Sequence, residues 1–166
     1  DVPSRWETGT QSYEAMAGLV ETINYLHELG LQVDGTAASR RAALVVGMRA
    51  IHAYEQELSR YLLSGLARIP NLIVYGITDI DRVSERTPTV GIRLKGYTPH
   101  NLAKHLGEQG IFTWNGNFYV MGLTEALGIE ASGGLLRIGL VHYNTIEEID
   151  RLLKALDRLV AIQHTE

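Results

Sequence analysis

The sequence predicts an α/β domain: a two-layer sandwich built on a small, mostly antiparallel four-stranded sheet with helices on one face, preceded by two long helices. Three observations carry this prediction. Apolar residues recur at three- and four-residue spacing along two long N-terminal stretches. Four short apolar or alternating runs follow, each bounded by Gly, Pro or polar residues. Helix start signals stand between and after those runs, so the order is two helices, then β-β-α-β-(short α)-β-α.

Each element has its own signal. Over Gln11 to Leu29 the apolar positions Met16, Leu19, Val20, Ile23 and Leu26 predict a helix with one buried face, closed by Gly30. From about Ser39 to Ala67 the stripe Leu44, Met48, Ile51, Leu58, Leu62 and Leu66 predicts a longer helix, which Pro70 keeps from extending. Leu72 to Tyr75 reads as a short buried strand ended by Gly76, and "ITDIDRVSERTP" as a polar connection. Thr89 to Leu94 alternates, with Val90, Ile92 and Leu94 on one face. Thr98-Pro99 supplies a capping hydroxyl and a first-turn proline for a helix that stops at Gly110. Ile111 to Trp114 reads as the third strand, Gly122 to Leu127 as a short helix, and Leu135 to Val141 as the fourth strand. Thr145 to Glu148 forms a capping box for a last helix whose buried stripe is Ile149, Leu152, Leu153, Leu156, Leu159 and Val160.

Composition narrows the function. A chain of 166 residues fits one domain, able to bury roughly 70% of its unfolded surface. The formal net charge of -4 offers no basic patch, so no nucleic-acid partner is expected. With no cysteine, disulfides, thiolate metal sites and a cysteine nucleophile within this chain are excluded. The six histidines show no ligand spacing: His100 and His105 are five apart on a helix, and His27, His52, His142 and His164 stand alone, so no metal is expected. No apolar run reaches membrane-span length and no signal-peptide pattern opens the chain, which makes a cytoplasmic protein without a membrane partner the expectation. The opening "DVPSRWETGT" has no initiator Met and leads almost at once into helix. The expectation is a single domain over 1-166 cut from a longer chain, with two long helices over 1-70 and a βαβ-type small domain over 71-166.

Three stretches can carry chemistry. In "ETGTQS", Gly9 and Thr10 precede a helix, where free N–H groups and the positive end of the dipole favour an anion; Thr10 either caps its own helix or bonds a phosphate oxygen. In "LLRIGLV", alternation puts Leu135, Arg137, Gly139 and Val141 on one face and Leu136, Ile138 and Leu140 on the other. Gly139 removes the side chain next to Arg137 on that face. Arg137 is either a surface cation paired with a neighbouring acid or a planar fork aimed at a small anion. In "TWNGNFYVMG", aromatics and amides gather around Gly116 between a strand and a helix, a composition that suits a cleft rim. Tyr119 there is either a proton donor or acceptor, or half-buried packing with a wet hydroxyl.

Together, "RWETGTQSYEAMAGLVETINYLHELG" and "LLRIGLVHYNTIEEIDRLLKAL", with "TVGIRLKGYTPHNLAKHLGEQGIFTWNG" between them, resemble the C-terminal part of a class V aminotransferase-like enzyme, close to SufS-type cysteine desulfurases of pyridoxal phosphate fold type I. The resemblance implies that Gly9 and Thr10 reach the cofactor phosphate of the other subunit of a homodimer. It also implies that Arg137 grips the α-carboxylate of a small amino-acid substrate, with Asn117 and Tyr119 as further candidates for substrate contact. Two departures stand out. The family's cofactor-bearing lysine would precede "ETGT", and Lys95, Lys104 and Lys154 do not substitute for it, so no catalytic residue is assigned and these residues alone are expected to be inactive. Where desulfurases carry Gly-His-His-Cys, this chain has Gly116-Asn117-Phe118-Tyr119, and a phenol cannot form a persulfide. The expectation is a cysteine-lacking branch, with transamination, racemisation or another reaction at the α- or β-carbon left open. The alternative is a non-catalytic α/β module for dimerisation or small-ligand binding.

Overall fold

A computed structural model describes Val2 and residues 4–163, with His164 outside the described residues. The chain divides into two compact units, residues 1–53 and 54–166. The division falls inside the second long helix, whereas the sequence pattern places its boundary at residue 70.

In the first unit, helix α1 (Tyr13–Val33) begins at Ser12, whose side chain accepts a hydrogen bond from the Ala15 N–H at 3.3 Å. Gly30 does not end this helix; the chain stays helical to Val33 and is capped at Asp34. The glycine serves a different purpose. A Cβ on Gly30 would lie 1.8 Å from the Ala43 carbonyl oxygen, and one on Gly47 2.8 Å from that of Leu26. These two glycines let α1 and helix α2 (Arg40–Leu66) bring their backbones together. The expected buried face of α1 is also corrected. Met16, Leu19, Val20 and Ile23 are exposed, as is Met48 on α2; the close approach of α2 falls further along α1, at Leu26 and Gly30.

The second unit holds the predicted sandwich. Strands β1 (Leu72–Tyr75) and β2 (Thr89–Leu94) pair antiparallel. Helix α3 (Pro99–Glu108), capped by Thr98, leads to β3 (Trp114–Gly116). Helix α4 (Met121–Ala126) precedes β4 (Leu135–Gly139) and helix α5 (Ile146–Gln163). The sheet order is β1-β2-β4-β3, antiparallel at every pairing. Its covered face meets α3, α5 and the last turns of α2 in one core, where Leu58, Leu62, Val90, Ile92, Leu106, Leu136 and Leu156 are all 0% exposed. Burial of each such side chain supplies roughly 1.5–3 kcal/mol before conformational entropy is counted.

Two strand boundaries move from their predicted places. The apolar run at Ile111 looks like a strand, yet the Ile111 N–H donates to the Leu106 carbonyl and closes α3. Pairing with β4 starts only at Trp114, opposite Arg137. The fourth strand stops at Gly139 because the Leu140 N–H bonds the Pro88 carbonyl and the Val141 N–H bonds the Asn144 side-chain oxygen, turning the chain. The polar connection after β1 contains a 3-10 turn over Ile80–Glu85, with Val83 buried beneath it. The capping box is as predicted: Thr145 Oγ1 accepts from the Glu148 N–H, and Glu148 accepts from the Thr145 N–H.

Candidate functional site

The open face of the sheet carries the side chains that the core rejects. Alternation sends Leu136 and Ile138 inward and Arg137 outward, where it is exposed. Its neighbours across the sheet are Gly91 on β2 and Trp114 on β3. A Cβ added to Gly139, two residues along β4, would meet nothing within 4 Å. The guanidinium therefore has glycines at two neighbouring positions, Gly139 in open space and Gly91 beneath the Leu135 side chain, and the aromatic Trp114 on its other side. Among the described residues Arg137 makes no hydrogen bond or ion pair. Its ring contact is with Phe118, whose centroid is 4.7 Å from the guanidinium carbon.

The loop that brings Phe118 there is unusual in its backbone. Gly116, Phe118 and Tyr119 have φ of 130°, 54° and 64°. Left-handed backbone at two consecutive bulky residues costs energy and persists only where neighbours enforce it. The enforcement comes from Asn117. Its side-chain oxygen accepts from the Tyr119 N–H at 3.1 Å, its amide donates to Glu130 at 2.9 Å, and its carbonyl accepts from the Val120 N–H. Glu130 is held in turn by the hydroxyl of Thr124, a buried residue on α4. The bonds from Thr124 and then Asn117 hold the Glu130 carboxyl below its usual pKa.

A depressed carboxyl pKa stabilises the fold fully above its unfolded value and loses that contribution as pH falls through the folded value. As pH is lowered from the ordinary glutamate range into the acid range, the loop over residues 116–119 should lose order before the sheet does. Hydrogen exchange of the loop amides across that range checks this. Glu130→Gln should make loop protection pH-independent over the same interval.

Each candidate residue takes a definite place. Arg137 lies exposed on the open face. Asn117 spends its side-chain oxygen on the Tyr119 N–H and its NH2 on Glu130, which makes it an anchor. Tyr119 projects fully into solvent at the loop tip. Gly9 and Thr10 lie in the first unit, exposed, just ahead of the cap of α1. Ser12 fills that cap, so the capping role open to Thr10 in the sequence belongs to Ser12. Lys104 and Lys154 lie on α3 and α5, and Lys95 sits in the turn after β2. Among the described residues no group of three His, Asp or Glu side chains could hold a metal ion, and no helix is long and apolar enough to cross a membrane. Arg137 stands on an open surface, outside the cavity of about 250 Å³ between residues 110–113 and β4. The Thr113 hydroxyl in that cavity's lining is buried and has no hydrogen-bond partner among the described residues. Sequence reasoning missed Phe118 and the Thr124–Glu130–Asn117 chain. The first carried no local signal beyond a bulky residue after Gly-Asn, and the second joins residues too far apart for periodicity to detect.

Known proteins share this architecture. Residues 35–152 match the family described as aminotransferase class-V. The chain is 30% identical over 158 residues to an uncharacterized protein of Mycobacterium tuberculosis (strain CDC 1551 / Oshkosh), covering 95% of this chain and 37% of the relative. It is 30% identical over 157 residues to a cysteine desulfurase of Salmonella agona (strain SL483), covering 95% and 32%. Among solved structures, the apo cysteine desulfurase of Thermococcus onnurineus NA1 superposes with a TM-score of 0.60 at 23% identity, over 72% of this chain and 30% of that one. A cysteine desulfurase of Escherichia coli gives 0.57 at 22% identity, over 73% and 31%. The structural likeness shows a shared fold, and the chain spans about a third of the length of these curated relatives.

Proposed function

This chain belongs to the class-V aminotransferase family, and on that premise we propose that it is the C-terminal domain of a pyridoxal-phosphate-dependent enzyme acting on an amino acid, with Arg137 binding the substrate α-carboxylate. One observation carries the reading: among the described residues Arg137 is an exposed arginine with no acid partner, its donors unspent and open space at the neighbouring Gly139. A guanidinium offers paired parallel N–H donors that match a carboxylate, and a charge-assisted pair of this kind is stronger than neutral hydrogen bonds.

The chain's own residues fit the cofactor at one end. Gly9 and Thr10 lie exposed before a helix of 21 residues, with the cap already provided by Ser12, so the Thr10 hydroxyl and nearby N–H groups are available to a phosphate. In this reading they reach the phosphate of the partner subunit in a homodimer. When bound, the cofactor supplies an electron sink for charge developing at the substrate's α-carbon. Arg137 orients that carbon by holding the carboxylate, and the loop over residues 116–119 limits the approach of water from one side. The three lysines lie in positions that do not serve the cofactor, so a lysine from outside these 166 residues completes the site, and these residues alone turn over no amino acid.

The relatives named for cysteine desulfuration suggest the reaction class, but this chain has no cysteine. Tyr119 is exposed at the loop tip, and in this reading it stands where the desulfurases carry their thiol. The activity is therefore a reaction at the α- or β-carbon of an amino acid that needs no thiol from this chain.

The experiment compares L-amino acids with their decarboxylated amines, read as perturbation of cofactor absorbance in the full-length protein. An amino acid should perturb it at concentrations at least about 100-fold lower than its amine, the difference expected from one bidentate charged contact. Equal potency of acid and amine across the panel would sink the reading.

A further inference from the structure

Resting on the reading of Arg137 as the carboxylate clamp, we propose that Phe118 is a positioning residue for it, a ring held over one face of the guanidinium so that the in-plane donors stay turned to the substrate. Three observations support this. The ring centroid lies 4.7 Å from the guanidinium carbon, within the range at which a cation is drawn to an aromatic face. Phe118 holds a φ of 54°, a conformation that bulky residues adopt only when the surroundings impose it. The bonds that impose it converge on this loop from α4 and the turn after it, with Asn117 bridging to Glu130 and Glu130 accepting from Thr124.

Stacking separates two uses of one cation. An aromatic ring engages the π-face of a guanidinium, whereas a carboxylate takes the N–H donors at its edge. The two partners do not compete. Arg137 is long and exposed, and without the ring its side chain would sample many rotamers, so binding a carboxylate would require ordering it first. With the ring in place that ordering is already done. Gly91 and Gly139 place no side chain of their own beside the guanidinium, and the ring in contact with it is that of Phe118.

The test uses the full-length protein labelled with 15N-arginine and titrated with propionate, a bare carboxylate. Loss of one Nε–H resonance in Arg137→Lys assigns the Arg137 signal. Phe118→Leu, which keeps an unbranched Cβ at the strained position, should move that signal away from its ring-shifted place and weaken propionate about fivefold, in line with an exposed cation–π contact. Phe118→Tyr should preserve both, and unchanged thermal unfolding of both variants sets folding aside. If Phe118→Leu leaves either the resonance or the propionate affinity as in the wild type, the positioning role is overturned while the carboxylate clamp stands. If propionate fails to move the Arg137 resonance in the wild type, the clamp itself is overturned.

Discussion

On the proposed reading, replacing Arg137 with alanine in the full-length protein should lower kcat/KM for an amino-acid substrate by about 100- to 1000-fold. Each hydrogen bond to a charged group contributes roughly 1.5–3 kcal/mol, and a bidentate carboxylate pair contains two. Each 1.4 kcal/mol is about a factor of ten, so even the lower sum gives two orders of magnitude. Little of the loss should come from instability, because the side chain is exposed and its ring contact is with Phe118. Arg137→Lys should recover only part of the deficit, since an ammonium is a point charge without the planar fork. Steady-state kinetics with both variants decide the matter. A kcat/KM for Arg137→Ala within about threefold of the wild type would remove Arg137 from the binding site.

The second large effect is on stability. Gly134→Ala should lower the unfolding free energy of the second unit by about 2–5 kcal/mol, the sum of a backbone and a packing penalty. Gly134 is buried with a φ of 70°, and a Cβ there would lie 2.3 Å from the Gly116 carbonyl oxygen and 2.6 Å from its carbon. The left-handed conformation costs an L-residue roughly 1–2 kcal/mol, and overpacking against backbone adds about 1–3. The clash falls on the pairing of β3 with β4, next to the Gly134 carbonyl that accepts a 2.7 Å hydrogen bond from Arg93. Gly139→Ala is the matched control, in the same stretch but with nothing within 4 Å of its Cβ. It should change stability by less than about 0.5 kcal/mol. Thermal unfolding of the two variants side by side checks both expectations, and equal melting temperatures would contradict the steric account.

Much of the fold was legible because its signals are local. Alternation in Val90, Ile92 and Leu94 and the stripe from Ile149 to Val160 report directly which face meets the core. Thr98 and the Thr145–Glu148 pair announce helix starts by side-chain chemistry alone. The misreadings have a common cause, which is that one residue type serves two physical ends. Gly30 suits a helix stop and suits a close crossing of backbones equally well, and only the position of Ala43 decides between them. Ile111 to Trp114 has strand composition, but a strand exists only in register with a partner, and that register begins at Trp114. The site divides the same way. Arg137 could be placed from alternation and a neighbouring glycine. Phe118 could not, because no local pattern announces an aromatic residue in left-handed backbone, and the anchor enforcing it is Glu130, well along the chain.

The strand order β1-β2-β4-β3 also sets a timetable. As a chain emerges from the ribosome N-terminus first, β1 and β2 can pair as soon as Leu94 is free. Strand β3 appears next yet has nowhere to go, since its sole neighbour in the sheet, β4, comes later. Until Leu135–Gly139 arrive, the inner edge of β2 stays unsatisfied, with Val90 and Ile92 uncovered on one side. The insertion of β4 then completes the remaining pairings in one step and delivers Arg137 to the open face at the same moment. Nascent chains stalled before Leu135 should therefore be the most prone to aggregation and to chaperone capture. The strand bearing Arg137 is also the one that commits the sheet to its final form.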